Sequence, residues 1–327
     1  MELIARATDD RAFAALLERL LAGPGRVVDP RRAGKWPTYV LDTALALGGD
    51  RAAATIAAAA VACVVAAADV VDDLADDEWR DARVAPGRAI NAAVALGALA
   101  HRCVGELAPR IGVARAGRVG EILARGYLAA AAGEDADLRL ESDPGATEET
   151  AHEMTRRKSG SLVALACEVG ATVAADDPAI LAAIGVFGTH AGTVAQILND
   201  LAGVAPGGAE RGSDLRLRKK TLPVAYALQC AREEGIAPLL AWYDRDARAT
   251  ADARSPDEEG IAELIRDLGS MEYGGIVADA HRREGYAALR QILRLSGRPA
   301  VGGLRRLIPA VRWQLDTGIL ECRSPRA

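Results

Sequence analysis

The 327-residue chain is poor in aromatic residues, with two Phe, six Tyr and four Trp. Any function that needs many aromatic faces must draw on a few positions. Five cysteines (Cys63, Cys103, Cys167, Cys230, Cys322) lie far apart, odd in number and without a C-x-x-C pair. That spacing excludes a disulfide frame or zinc ribbon and leaves small core residues in a reducing compartment. Period-2 alternation of β-branched residues is missing, which argues against sheet. There is no basic excess: 40 Lys and Arg stand against 45 Asp and Glu, a net charge of -5. No global basic field exists to attract nucleic acid. Met1-Glu2-Leu3-Ile4 lacks the basic n-region and apolar h-region of a secretory signal, so a cytoplasmic protein is expected. No Pro/Gly/Ser linker separates two patterned halves, and residues 1–327 are expected to share one domain.

What the chain has is alanine and helical periodicity. The expectation is an all-α protein of roughly a dozen helices. Helices are expected over Asp10 to Leu21, Trp36 to Leu47, Ala89 to Gly105, Arg110 to Leu140 and Ala179 to Val204, with Pro109 as punctuation. Another starts at Thr147-Glu148-Glu149 and breaks at Ser159-Gly160. Residues 205–212 read as a loop, and Val224 to Arg323 offers four or five amphipathic helices. The apolar run from Ile56 to Val71, broken only by Asp69, is short of the ~20 residues that a bilayer span needs. It reads as an interior helix.

That run ends in Asp72-Asp73-Leu74-Ala75-Asp76-Asp77. Helical spacing puts Asp72 and Asp76 on one side of a turn, as it does Asp69 and Asp73. Crowded carboxylates repel unless a cation joins them, and Mg²⁺ is their natural partner. The alternative is a solvated helix end, which acidic runs commonly are. The Arg110 to Leu140 helix carries Glu134, Asp135 and Asp137 near its end. Two further features change the balance. Asn199-Asp200 interrupts an apolar helix near its end. Lys158, Lys219 and Lys220, with Arg156, Arg157, Arg216 and Arg218, supply positive charge. Carboxylates on two helices plus lysines would hold metal and diphosphate, and would neutralise a departing diphosphate.

In this order the motifs resemble the trans-isoprenyl diphosphate synthases, with the class I terpene synthases that share their fold. Asp72-Asp73-x-x-Asp76 is similar to the first Asp-rich motif of that family. Lys158-Ser159-Gly160 resembles its Lys-Thr-Gly element, and Gln196-Ile197-Leu198-Asn199-Asp200 its Gln-Ile-x-Asp-Asp segment. Asp214-Leu215-x-x-x-Lys219-x-Thr221-Leu222-Pro223 is similar to its Asp-Leu-x-Glu-Gly-Lys-x-Thr-Leu-Pro. The resemblance implies an isoprenoid-synthase-type helical bundle around a deep apolar pocket, commonly a homodimer, using three Mg²⁺. It implies ionisation of an allylic prenyl diphosphate. Asp72, Asp73, Asp76, Lys158 and Lys219 would be catalytic, and Asp72, Asp76 and Asn199 metal ligands, with Asp200 or Asp214 as helpers. Lys158, Gln196 and Lys219 would contact diphosphate, with Arg83, Arg32 and Lys35 as further candidates. Ala67, Ala68, Trp36 and Phe187 would line the pocket.

The chain also departs from that pattern. Elongating members carry an N-terminal Gly-Lys-Arg-x-Arg-Pro for a second diphosphate. Here Pro37 falls on its proline and Trp36 replaces the arginine before it, with Arg31, Arg32 and Lys35 out of pattern. Arg83 stands alone where an Arg-Arg pair is usual. A point-charge lysine is a poor substitute for a bidentate guanidinium. The second motif reads Asn199-Asp200-Leu201-Ala202-Gly203, and both Gly203 and Gly207 lack the ligand that a cyclase would have. A terpene synthase acting on farnesyl or geranylgeranyl diphosphate is therefore the first expectation. The alternatives are a trans-prenyltransferase and an inactive regulatory subunit.

Overall fold

The computed structural model describes residues 2–23, 26–29, 35–205, 213–244 and 257–311. Every regular element among them is helical. In chain order they are α1 (Glu2–Ala5), α2 (Arg11–Ala22), α3 (Lys35–Ala46), α4 (Arg51–Ala75), α5 (Pro86–Ile111), α6 (Val113–Ser142) and α7 (Glu148–Thr155). A π-helical turn, Arg156–Gly160, leads into α8 (Ser161–Ala174) and α9 (Pro178–Val204). There follow α10 (Ser213–Leu217), α11 (Leu222–Glu234), α12 (Ala237–Tyr243), α13 (Glu258–Asp267), α14 (Ser270–Ser296) and a 3₁₀ stretch, Pro299–Leu307. The all-α expectation is met.

Local chemistry sets the boundaries. Asp50 caps α4 by accepting from the Ala53 amide, and Asp177 caps α9 by accepting from Ala179, with Pro178 in its first turn. These side chains satisfy amides that have no partner inside the helix. Gly112, at φ 86°, divides α5 from α6, a conformation that glycine adopts without steric cost.

Two of the expected boundaries are corrected. α5 runs beyond Gly105 and through Pro109 to Ile111. The carbonyl that loses its partner to Pro109 belongs to exposed Gly105, where solvent replaces it. The break expected at Ser159-Gly160 is instead a widened turn, in which the Ser161 amide donates to the Arg156 carbonyl and the helix continues. Residues 206–212 of the expected loop, and residues 245–256 and 312–323 of the expected C-terminal helices, lie outside the described residues.

α4 and α9 are the central helices. α4 packs on α3 and α5, while α9 packs on α8 and α14. Alanines cover the inner face of α4, with Ala53, Ala54, Ala57 and Ala60 fully buried, so neighbouring helices approach closely. Larger side chains such as Phe187, Leu96, Leu165 and Ile197 fill the remaining core, each stabilising by about 1.5–3 kcal/mol through burial. By length and composition α4 and α9 are both able to cross a membrane, yet 67% and 56% of their most apolar windows are buried inside the protein. They are core helices of the bundle.

Candidate active site

The acidic motif sits where α4 stops. Asp76 caps the helix, its amide donating to the Asp72 carbonyl, and Asp77 turns the chain in a left-handed conformation (φ 56°). Asp72 and Asp76, one turn apart, each meet a lysine. Asp72 Oδ1 lies 2.8 Å from Lys158 Nζ, and Lys219 Nζ donates to Asp76 Oδ2. Asp73 faces elsewhere and accepts from Arg26 Nη1 at 2.8 Å, with that guanidinium 5.1 Å over the Trp79 ring. No motif in the sequence points to Arg26.

Lys158 is aimed by the π-helical turn. The turn is clamped between α6 and α9 at two glycines. A Cβ on Gly133 would stand 2.3 Å from the Lys158 amide nitrogen, and one on Gly192 would stand 2.7 Å from the Ser159 carbonyl oxygen. From there the ammonium reaches Glu134 Oε2 at 2.6 Å and Asp137 Oδ2 at 2.8 Å as well as Asp72. Burial opposes its charge, but Asp137, Asp72 and Glu134 outweigh that and hold Lys158 above the ordinary lysine range. Burial and a hydrogen bond with Asp72 push the Glu134 carboxyl up to about 7. For Asp72 burial acts upward, while Lys158 and Glu134 prevail and lower it. Glu134 and Asp137 were visible in sequence only as an acidic helix end. Their three-residue spacing, which puts both on one face, was the available signal.

α9 brings the second polar cluster. Ser159 Oγ donates to Gln196 Oε1 at 2.8 Å, and Gln196 Nε2 donates to Asp200 Oδ1 at 2.7 Å. Asp200 is 2% exposed, and burial followed by the proximity of Asp214 raises its carboxyl well above the usual range. Asn199 is exposed and faces the same space. Asp214 comes from α10 and lies over Gly203, where a Cβ would stand 2.3 Å from its Oδ2. Arg218, in a left-handed conformation (φ 56°) and 4.3 Å over the Trp242 ring, turns the chain so that Lys219 reaches Asp76. Lys220 is buried and donates to the Asp143 carbonyl at 2.6 Å, so it is a strut and not part of a solvated pair.

Two cavities meet here. One, of ≈ 390 Å³, is polar and contains Asp137, Asp200, Asp214 and Lys219. The other, of ≈ 490 Å³, runs along Trp36, Tyr39, Ala68, Tyr127, Leu162 and Val163. Lys158, Gln196 and Asn199 belong to both walls. Asp69 also faces the second cavity, where burial and then Asp72 and Asp73 push its carboxyl up to about 7. Of the expected pocket residues, Trp36 and Ala68 line the cavity, whereas Ala67 and Phe187 are core residues that line neither. Phe187 is fully buried because α9 turns that face inward. Arg83 is exposed on the segment after α4 and lines neither cavity. Arg32 and the Lys35 side chain lie outside the described residues.

The donor set suits a hard divalent cation. Oxygens Glu134 Oε1, Asp137 Oδ1 and Asp200 Oδ2 are buried without a hydrogen-bond donor. Four carboxyl groups (Asp72, Glu134, Asp137 and Asp76) share the two ammoniums of Lys158 and Lys219, and buried charge without full compensation is costly. Among the described residues no three acidic, imidazole or thiol groups form a closed cage. Mg²⁺ does not require one, since it binds through one or two carboxylates and completes its octahedron with water and phosphate oxygens.

The helical bundle is also the architecture of solved polyprenyl and geranylgeranyl synthases. The polyprenyl synthetase from Streptomyces coelicolor A3(2) superposes with a TM-score of 0.74 over 93% of this chain and 94% of that one, at 24% identity. A geranylgeranyl pyrophosphate synthetase from Geoglobus acetivorans gives 0.76 over 94% and 93%, also at 24% identity. In sequence, a geranylgeranyl diphosphate synthase from Mycobacterium tuberculosis is 34% identical over 166 residues, 50% of this chain and 46% of that protein. A geranylfarnesyl diphosphate synthase from Aeropyrum pernix is 33% identical over 124 residues, 37% of this chain and 36% of that protein. The chain thus spans about half the length, or less, of the curated relatives it matches. The polyprenyl synthetase family model matches residues 34–256. The chain belongs to the polyprenyl synthetase family.

Proposed function

We propose that this chain is a Mg²⁺-dependent trans-prenyltransferase that ionises an allylic prenyl diphosphate and passes the prenyl group to an acceptor. The observation that carries the reading is the junction of the two cavities at Lys158, Gln196 and Asn199. A diphosphate in the polar cavity would leave its hydrocarbon tail in the apolar one. The relatives, named as diphosphate synthases, favour transfer over the cyclisation expected from sequence.

Asp72, Asp76, Asn199, Asp200 and Asp214 would hold the metal, with up to three ions by family resemblance. Bound Mg²⁺ would supply Lewis-acid neutralisation of the diphosphate oxygens. Lys158 and Lys219, now occupied by carboxylates, would turn part of their charge to the departing diphosphate, and Gln196 would donate to it. Such preorganised charge lowers the barrier because it need not reorganise as negative charge develops. The apolar walls would exclude water from the cation. A homodimer belongs to this reading, supported by exposed Ile90 and Val94 on α5 and Leu128 on α6, which a second copy would cover.

A terpene-synthase outcome is the second reading, favoured by Trp36. Its ring lines the apolar cavity at the position that carries an arginine in the elongating pattern, and with Tyr39 and Tyr127 it offers π-faces to a cation. Incubation with Mg²⁺ and geranyl, farnesyl or geranylgeranyl diphosphate, each with and without isopentenyl diphosphate, separates the two. Elongated diphosphate appearing only with isopentenyl diphosphate supports transfer. Hydrocarbon from the allylic diphosphate alone supports cyclisation or elimination. No diphosphate release from any of them rejects both.

A further inference from the structure

The apolar cavity contains a carboxyl group that neither lysine holds. Asp69 lies on its wall with Trp36, Tyr39, Ala68 and Tyr127, and among the described residues it makes no hydrogen bond or ion pair. The other carboxylates of the α4 end are engaged: Asp72 by Lys158, Asp73 by Arg26 and Asp76 by Lys219. Asp69 sits three residues before Asp72 on a continuous helix. At 1.5 Å of rise per residue, its backbone is about 4.5 Å deeper along the axis than that of Asp72. With the diphosphate at Asp72 and Lys158, that depth is level with the first few carbons of the tail, where allylic positive charge resides. A carboxyl group on an apolar wall is costly to keep and contributes nothing to packing there. Its placement suits a reaction with the cation.

We propose that Asp69 is the base that ends the reaction, taking a proton from a carbon adjacent to the cationic centre. The C–H electron pair becomes the π-bond of a new alkene, the proton forms an O–H bond on Asp69, and the cation is discharged. The proton then leaves to the released diphosphate or to solvent as the product departs. The step is the same whether the cation is that of the substrate or the one formed after joining to an acceptor alkene. The proposal rests on the allylic-ionisation reading above and adds to it the residue that receives the proton.

The test compares the native protein with Asp69→Asn and Asp69→Glu, using Mg²⁺ and farnesyl or geranylgeranyl diphosphate, with and without isopentenyl diphosphate. Diphosphate release and product composition are measured in the same reactions. Asn keeps the shape without accepting a proton. It is expected to leave diphosphate release within about threefold, while the ratio of alkene-forming products (hydrocarbon or elongated diphosphate) to water-captured alcohol falls at least about tenfold, general-base effects being of that size or larger. Asp69→Glu is expected to restore alkene formation with an altered double-bond position. Should Asp69→Asn unfold, Asp69→Ser carries the same expectation. An unchanged product ratio with intact release overturns the role of Asp69 and leaves the ionisation reading standing. No release by the native protein overturns the ionisation reading and this proposal with it.

Discussion

Asp214 occupies the space that a side chain at position 203 would fill. A Cβ on Gly203 would stand 2.3 Å from Asp214 Oδ2 and 2.5 Å from its Cγ. The missing ligand of the second motif and the presence of this carboxylate are thus one arrangement: the glycine admits an acid from another helix. Gly203→Ala should expel Asp214 from the polar cavity. Calorimetric affinity for inorganic diphosphate with Mg²⁺ is expected to fall about tenfold or more, the scale seen when a metal site loses its support. Affinity preserved in that variant would remove Asp214 from the site.

Lys158 makes ion pairs with three carboxyl groups at 2.6–2.8 Å. Lys158→Met leaves Asp72, Glu134 and Asp137 with no ammonium, and breaking a buried charge cluster from one side costs about 3 kcal/mol. Urea unfolding without metal should show that loss. Added Mg²⁺ should recover part of it, because a divalent ion can take the place of the ammonium. Loss of stability that Mg²⁺ leaves untouched would count against a metal at these oxygens. Turnover should fall about 10²–10³-fold, as when one preorganised charge donor is removed.

His281 links α14 to two other helices. Its Nε2 lies 2.7 Å from His152 Nε2 on α7, and its Nδ1 lies 2.8 Å from His190 Nδ1 on α9. Burial, then His152, His190 and Arg156, lower its pKa to about 4. His152 and His190 are lowered too, burial again leading, with Glu148, Glu153 and Glu284 partly opposing. An unfolded histidine titrates near 6.5, so below that value the unfolded chain binds the extra proton first. The contribution is therefore complete above about pH 6.5 and lost as pH falls towards 4. His281→Gln should flatten the thermal stability profile over that window, and a profile identical to that of the native protein would contradict the assignment.

Ala68 and Phe187 were grouped as pocket residues in the sequence, and the structure gives them opposite expectations. Ala68 lines the apolar cavity. Ala68→Phe should raise KM for geranylgeranyl diphosphate about tenfold or more over that for geranyl diphosphate, a few lost carbon contacts being enough. Phe187 is fully buried in the core. Phe187→Ala should cost about 3–5 kcal/mol of stability and leave relative chain-length preference unchanged.

Much of this site could be read before any coordinates. Asp72, Asp76, Lys158, Gln196, Asn199, Asp200, Asp214 and Lys219 carry a recognisable order, and helical spacing correctly set Asp72 and Asp76 on one side. Spacing cannot say which residues from distant segments fill the same space. Arg26, Glu134 and Asp137 became site residues only when α4, α6 and the segment after α2 came together. Phe187 was misplaced because an apolar helix buried on most sides has no periodicity to mark its pocket face. The break expected at Ser159-Gly160 failed because glycine there serves close packing against α9 and not chain reversal.

The five residues Arg156 to Gly160 carry one more residue than an α-helical ladder accommodates. Deleting one of them would restore regular hydrogen bonding, but each residue accounts for about 100° of rotation around a helix. Either Lys158 would swing away from Asp72, Glu134 and Asp137, or all of α8 would turn out of register with α3 and α9. The surplus residue works as a phase adjuster between a helix that must pack and a lysine that must point. Length changes here should be less tolerable than almost any single substitution in the same turn.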